Sequence, residues 1–133
     1  MSKLSILKIG RDVKLWKNRY GNDEASYLDE NDFKSIDFEQ VNQMVDLFWA
    51  YGFNFFDTGY SYHEGLSEIA IKKCVVERYS CDSYLISDKL SLFTITDESQ
   101  LESIFTNQLE KMGLKYFDYY LMHNVSEFYK KLG

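Results

Sequence analysis

The chain has 133 residues, of which 45% are apolar and 17% aromatic, and its formal net charge is −6. This apolar share is enough for one ordinary domain with a buried core, and it excludes a wholly disordered chain. The acidic balance argues against nucleic acid or an anionic membrane as the main partner, because both favour basic surfaces.

The sequence has no segment typical of a membrane or secreted protein. No run approaches the roughly 18 consecutive apolar residues of a membrane span, and the N-terminus lacks the pattern of a cleaved signal peptide. Cys74 and Cys81 are seven positions apart, which fits neither a CxxC metal pair nor a disulfide framework. We therefore expect a cytoplasmic protein with no bound metal.

The first part of the chain contains one clear helix. A short apolar segment near residues 4–9 is interpreted as a first strand, and the polar residues 11–36 are predicted to form an irregular loop. Asp37 and Gln40 then have the spacing of a capping box, and apolar residues follow at helical intervals until Gly52. A helix is therefore predicted from Asp37 to Gly52.

Strands and helices alternate over the rest of the chain. The predicted strands are Phe53–Phe56, Ser83–Leu90 and Tyr116–Asn124. Between them we predict one helix capped by Ser67 and another that begins at an Asp97–Gln100 capping box and ends at Gly113. Because alternation with short connections favours parallel strands, the predicted class is α/β with parallel (β/α) units.

An ionisable residue stands at the end of each of these three strands. They are Asp57, Lys89 and His123, each about one β/α unit from the next. The carboxyl ends of parallel strands meet at one edge, which is where α/β proteins bind ligands. We therefore expect the three side chains to converge there, with Tyr60 and Tyr62 of the intervening loop close by.

Taken singly, these residues have ordinary structural explanations: an Asx turn, a solvated lysine and a histidine bonded to the backbone. Taken together, they suggest proton delivery. Lys89 beside Asp57 would form a partly buried ion pair, and a tyrosine near that ammonium group would give up its proton more readily. His123 could bond and orient a substrate oxygen. The set has neither a nucleophile with its base nor a metal-ligand cluster.

Three segments resemble the aldo-keto reductase family: GFNFFDTGYSYHEGLSE (52–68), YLISDKL (84–90) and QLEKMGLKYFDYYLMHNV (108–125). The family's catalytic tetrad is an Asp, a Tyr five residues later, a Lys closing the next strand and a His closing the one after. That spacing selects Asp57, Tyr62, Lys89 and His123, and it prefers Tyr62 to Tyr60. The resemblance covers roughly residues 37–133 and is strongest to the bacterial branch that often carries an iron–sulfur tail domain.

The resemblance implies a (β/α)8 TIM barrel that transfers hydride between NADPH or NADH and a small carbonyl substrate. Tyr62 is then the general acid, Lys89 and Asp57 tune it, and His123 orients the carbonyl. The hydride supplies the attacking group that the side chains lack. The cofactor-binding residues themselves are unknown, since the family places most of them on later strands.

Four further residues bear on the resemblance. Gly59 stands where the family usually has Ala, and Asp88 precedes the lysine where Thr is common, so Asp88 perturbs Lys89 if it points inward. His63 and Phe93 are candidates for the near side of a substrate pocket, with exposed-loop or packing roles as the alternative.

The length fits only part of such a barrel, which needs about 250 residues. We therefore predict that residues 1–133 form the N-terminal portion of an NAD(P)H-dependent reductase, with four strands and with Gly133 inside the next helix. This portion is expected to be inactive alone. The alternative is a non-catalytic half-barrel that self-associates, pairs with a missing second half or serves as an interaction subunit.

Overall fold

The computed structural model describes residues 6–8, 36–123 and 125, with the backbone alone for residues 6–8. The predicted loop at 11–36 lies outside this part except for Ile36, as does the predicted helix at Gly133. The described strands and helices are β1 (Ile6–Lys8), α1 (Phe38–Ala50), β2 (Phe55–Asp57), α2 (Leu66–Ile71), β3 (Leu85–Ser91), α3 (Gln100–Met112) and β4 (Tyr119–His123). They alternate as the sequence predicted.

The four strands form one sheet in which all neighbours are parallel. Their order in space, β1-β2-β3-β4, is their order in the sequence, as in the wall of a (β/α) barrel. The predicted α/β class is therefore confirmed. The carboxyl ends of β2, β3 and β4 share one edge, and the ionisable residues lie there.

Helix α1 begins where the sequence predicts. Asp37 is its N-cap, and its carboxylate accepts a hydrogen bond from the backbone N–H of Gln40 at 3.0 Å. The predicted apolar stripe buries Val41 and Val45 against the sheet. The chain then turns at Gly52, which has a left-handed φ of 81°.

The predicted cap of the second helix is wrong. Gly65 occupies the N-cap of α2 with a left-handed φ of 86°, and Ser67 lies inside the helix. The Ser67 hydroxyl is hydrogen-bonded to Thr58 Oγ1 at 2.7 Å, so it ties α2 to the end of β2 instead of capping the helix. One π-helical turn, Lys72–Val76, then follows α2 directly.

The strands are shorter than predicted, and their ends differ from the predicted ones. Strand β2 runs to Asp57, and β4 ends at His123. Strand β3 continues past Lys89 to Ser91, so the prediction that Lys89 closes its strand is wrong. Pairing with β4 extends β3 to the Ser91–His123 pair, one residue beyond the predicted end at Leu90.

Helix α3 ends as predicted and begins differently. Gly113 is its C-cap, with φ 71°. At the start, Ser99 is the N-cap, and the Asp97 carboxylate accepts from the backbone N–H of Ser99 at 2.8 Å. Only half of the predicted capping box forms: Gln100 Oε1 accepts from the backbone N–H of Asp97 at 3.1 Å.

The hydrophobic core lies between the sheet and the helices. Its largest fully buried apolar side chains are those of Phe56, Ile71, Ile86 and Met112. In the described part of the chain, no helix has the length and apolar character needed to cross a bilayer. The opposite face of β4 is open: Tyr119 is 54% exposed and Leu121 47%.

Candidate active site

Lys89 and Asp57 form an ion pair at the carboxyl edge of the sheet. Lys89 Nζ lies 2.5 Å from Asp57 Oδ2, and it also donates to the backbone carbonyl of Thr58 at 2.7 Å. The Lys89 side chain is 12% exposed and that of Asp57 is 7% exposed. A carboxylate and a carbonyl therefore hold the ammonium group in a fixed place away from bulk water, and they compensate the cost of burying it.

The Tyr62 ring lies against this ammonium group. The distance from Lys89 Nζ to the ring centroid is 4.7 Å, within the range of a cation–π contact. Tyr60, the alternative tyrosine, packs its ring against Lys111 at 5.2 Å. The structure thus separates the two tyrosines and brings only Tyr62 to the Lys89–Asp57 pair.

A tight turn after β2 places Tyr62. Tyr62 begins a short 3₁₀ segment, and the next three residues, His63, Glu64 and Gly65, all have φ in the left-handed region, at 55°, 52° and 86°. Only Gly65 adopts that region without a steric penalty. Gly59 lies beneath the Tyr62 ring, whose nearest atoms would stand 3.2 Å from a Cβ at that position.

His123 completes the group on β4. Its ring meets the Tyr62 ring edge-on, with centroids 5.4 Å apart and planes at 82°. Burial and the nearby Lys89 charge lower the pKa of His123 from its usual 6.5, while Asp57 acts in the opposite direction. The imidazole is therefore neutral at neutral pH. Its Nδ1 is buried and has no hydrogen-bond partner among the described residues.

The two predicted substrate contacts have different surroundings. Phe93 is 53% exposed, and its ring lies 6.3 Å from that of His123. His63 is half-buried in the left-handed turn beside Tyr62. Both lie at the edge that carries the tetrad, and their contact with a substrate stays a prediction.

A buried polar cluster, not predicted from the sequence, lies behind Lys89 on the helix-covered face of the sheet. Glu68 of α2, Asp88 of β3 and Gln108 of α3 are each 0% exposed. Burial, and then the charge and hydrogen bond of Glu68, raise the pKa of Asp88 from 3.8 to about 8. Asp88 points away from the tetrad. Its predicted effect on Lys89 required a side chain that points inward, so that effect is not expected.

A cavity of about 390 Å³ lies at the opposite end of the strands, between Tyr84, Leu114 and Tyr116, and includes none of the four residues. Within residues 36–123, no set of His, Cys, Asp and Glu side chains is arranged to hold a metal ion.

The fold and the site define a class of protein: a parallel (β/α) sheet with an Asp–Lys pair, a tyrosine and a histidine at its carboxyl edge. Comparison with known proteins agrees. The sequence profile described as "Aldo/keto reductase family" matches residues 23–130, and the chain belongs to that family. The match begins inside the segment 11–36, earlier than the quoted resemblance.

Nineteen chains of solved structures match this chain. One is the thermostable aldo-keto reductase Tm1743 in complex with the inhibitor epalrestat, with a TM-score of 0.53 and 25% sequence identity. The match covers 66% of this chain and 32% of that one, so the chain spans about a third of that relative's length. No curated protein matches the sequence.

Proposed function

We propose that this chain carries the proton-donating site of an NAD(P)H-dependent aldo-keto reductase that reduces a small carbonyl compound to an alcohol. One observation supports this most directly. Lys89 Nζ is bound by Asp57 at 2.5 Å and lies over the Tyr62 ring at 4.7 Å, and that ring meets His123. A phenol beside a fixed cation is suited to giving a proton to an oxygen that becomes negative.

Each residue has a distinct role in this proposal. Tyr62 donates its phenolic proton to the carbonyl oxygen as charge develops there. Lys89 stabilises the resulting phenolate, and Asp57 keeps the Lys89 ammonium group in place. His123, neutral through burial, donates one hydrogen bond to the same oxygen and fixes the direction of the C=O bond.

The donor set fits a reducing cofactor. The four side chains can move a proton and orient an oxygen, yet none is a nucleophile activated by a neighbouring base. NADPH or NADH supplies the hydride when bound. We assign no cofactor-binding residue in this chain.

The exposed face of β4 indicates how the site becomes a closed pocket. Among the described strands, β4 lies at the end of the sheet, and Tyr119 and Leu121 are half exposed beside His123. A strand at the edge of a sheet normally pairs with a further strand or is covered by another element. We propose that further (β/α) units of the same barrel cover it, in the same polypeptide or in a separate chain, since the chain spans 32% of Tm1743. A non-catalytic, self-associating half-barrel is the alternative.

Two measurements test this. The intact mass of the native protein is expected to exceed 15.8 kDa if the barrel is completed in one polypeptide. In that protein, or in a complex of this chain with its partner, Tyr62→Phe is expected to lower NADPH- or NADH-dependent reduction of a panel of aldehydes and ketones about a hundredfold or more. Tyr60→Phe, the matched control, is expected to keep activity within about twofold. Unchanged activity in Tyr62→Phe would refute the catalytic assignment.

A further inference from the structure

The cluster behind Lys89 is a continuous hydrogen-bonded network across three elements. The Gln108 side-chain Nε2 donates to Glu68 Oε1 at 2.7 Å and to Asp88 Oδ2 at 2.9 Å. Tyr120 of β4 donates its hydroxyl to Gln108 Oε1 at 2.6 Å, which fixes which way the amide faces. Every polar atom of the Gln108 side chain is therefore used, although the residue is fully buried.

The two carboxyl groups of this network accept from the same amide nitrogen, Gln108 Nε2. Burial and the charge of Glu68 raise the pKa of Asp88 to about 8, which favours the neutral form of Asp88.

The network is attached to the backbone of Lys89 at two atoms. Asp88 Oδ1 accepts from the Lys89 N–H at 2.7 Å, and Gln108 Nε2 lies 3.3 Å from the Lys89 carbonyl oxygen. That carbonyl also accepts from the backbone N–H of Tyr60 at 3.1 Å, in the loop that carries Tyr62. Adjacent residues of a strand point to opposite faces of the sheet. Asp88 therefore binds the Lys89 N–H from the helix-covered face, while the Lys89 side chain points into the site on the other face.

We propose that Gln108, held by Glu68, Asp88 and Tyr120, is a positioning residue that fixes the backbone of Lys89 and the adjoining Tyr60–Tyr62 loop. This inference rests on the proposed function, since it concerns the placement of the same proton-donating group. Gln108 touches neither Tyr62 nor the reacting atoms. It acts through the carbonyl of Lys89.

The amide of Gln108 has two N–H groups for three acceptors: Glu68 Oε1, Asp88 Oδ2 and the Lys89 carbonyl oxygen. A neutral Asp88 is a weaker acceptor than a carboxylate, so it leaves the amide better able to donate to the Lys89 carbonyl. Two other ionisable groups are bonded to this cluster: Lys111 of α3, which is bound to Glu68, and Tyr120 of β4, which is bound to Gln108. The Lys89 charge lowers the pKa of Asp88 from the other face of the sheet, and the Tyr60 ring packs on Lys111.

Amide hydrogen exchange of the protein tests the proposal without an activity assay. Gln108→Met removes the donors and keeps the side-chain length. The exchange of the Tyr60 and Lys89 amides is expected to rise about tenfold, with the α1 amides unchanged. Gln43→Met, the same change at an exposed position, is the matched control. Unchanged exchange at Tyr60 and Lys89, or an equal rise at all amides, would overturn the proposal.

A second variant serves if Gln108→Met does not fold. Tyr120→Phe removes only the hydroxyl that orients the amide, and it is expected to raise the exchange of the same two amides about threefold. No rise in that variant would equally overturn the proposal.

Kinetics of the complete enzyme separate positioning from catalysis. Gln108→Met is expected to lower kcat about tenfold with KM within about twofold, because the proton donor is displaced and substrate binding is not. It should also shift the alkaline limb of the pH profile. If Tyr62→Phe is fully active, the proposed function fails while the exchange result still stands. If Tyr62→Phe is inactive and the exchange is unchanged, only the positioning role fails.

Discussion

Lys89 and Asp57 are bonded although they are not opposite each other in the sheet. Asp57 is paired with Ser87, and Lys89 lies two residues further along β3. The lysine side chain covers that offset and reaches Asp57 Oδ2 at 2.5 Å. The ammonium group at the end of this long, flexible side chain is therefore held by an aspartate on the neighbouring strand.

Removing the lysine is expected to destabilise the protein. Lys89→Met leaves the Asp57 carboxylate 7% exposed and without its cation, which costs about 3 kcal/mol of the free energy of unfolding. Adding Asp57→Asn should restore part of this loss, because the unpaired charge is gone. Urea denaturation of the four proteins in a double-mutant cycle measures the coupling. A purely additive cycle would contradict the ion pair.

His123 is expected to make stability depend on pH in the acidic range. Its pKa in the folded protein is below the usual 6.5, so the unfolded chain binds the proton first. Its contribution to stability is therefore complete above pH 6.5 and is lost as the pH falls towards its folded pKa. His123→Gln should flatten this part of the stability curve. His63→Gln, at the other histidine, is the control, and NMR titration of the two imidazoles checks the assignment.

Asp88 is expected to make stability depend on pH in the opposite direction to His123, so that stability falls as the pH rises. Its pKa of about 8 in the folded protein exceeds the 3.8 of the free group, so the folded chain keeps a proton that the unfolded chain has lost. The resulting stabilisation is complete below about pH 4 and disappears as the pH rises to about 8.

Asp88→Asn carries no such proton. The free energy of unfolding of Asp88→Asn should therefore fall less steeply with rising pH than that of the wild type. The two slopes should differ by up to about 1.4 kcal/mol per pH unit in this interval. Urea denaturation at several pH values measures this difference. Asp82→Asn, at an exposed position, should follow the wild type. Parallel curves for Asp88→Asn and the wild type would show that the proton is not held there.

Gly59 offers a change that moves the proposed acid without removing it. In Gly59→Ala the new Cβ would stand 3.2 Å from the Tyr62 ring, so the ring must shift by a few tenths of an ångström. The loss of chain entropy in the unfolded state offsets part of this strain, and the free energy of unfolding should change by less than about 1 kcal/mol. The shift of the His123 ring resonances, which sense the Tyr62 ring, measures the movement. Unaltered resonances would show that the ring does not move.

The tetrad could be predicted because each member lies beside a recognisable strand. Asp57, Lys89 and His123 follow apolar segments at β/α intervals. The preference for Tyr62 over Tyr60 rests on the resemblance to the aldo-keto reductase family, whose Tyr lies five residues after the Asp. The structure does bring these four together. Strand lengths were less predictable: β3 extends to Ser91 only because β4 pairs with it. Such pairing involves residues far apart in the sequence.

The polar cluster could not be predicted for the same reason. Glu68, Asp88 and Gln108 come from two helices and a strand, and their meeting depends on how α2 and α3 pack on β3. Asp88 was visible only as a departure from a family pattern. Ser67 shows the converse: its sequence context suits a helix cap, yet Thr58 binds its hydroxyl instead.

The left-handed turn after Tyr62 has a consequence for how this site can evolve. His63 and Glu64 hold a backbone conformation that glycine or asparagine adopts more easily. The backbone that positions the Tyr62 ring would therefore lose strain if residue 63 or 64 were replaced by glycine or asparagine. Under the proposed function, drift at positions 63 and 64 would therefore readjust where Tyr62 delivers its proton, and so which carbonyl compounds are accepted, while the four ionisable residues stay constant.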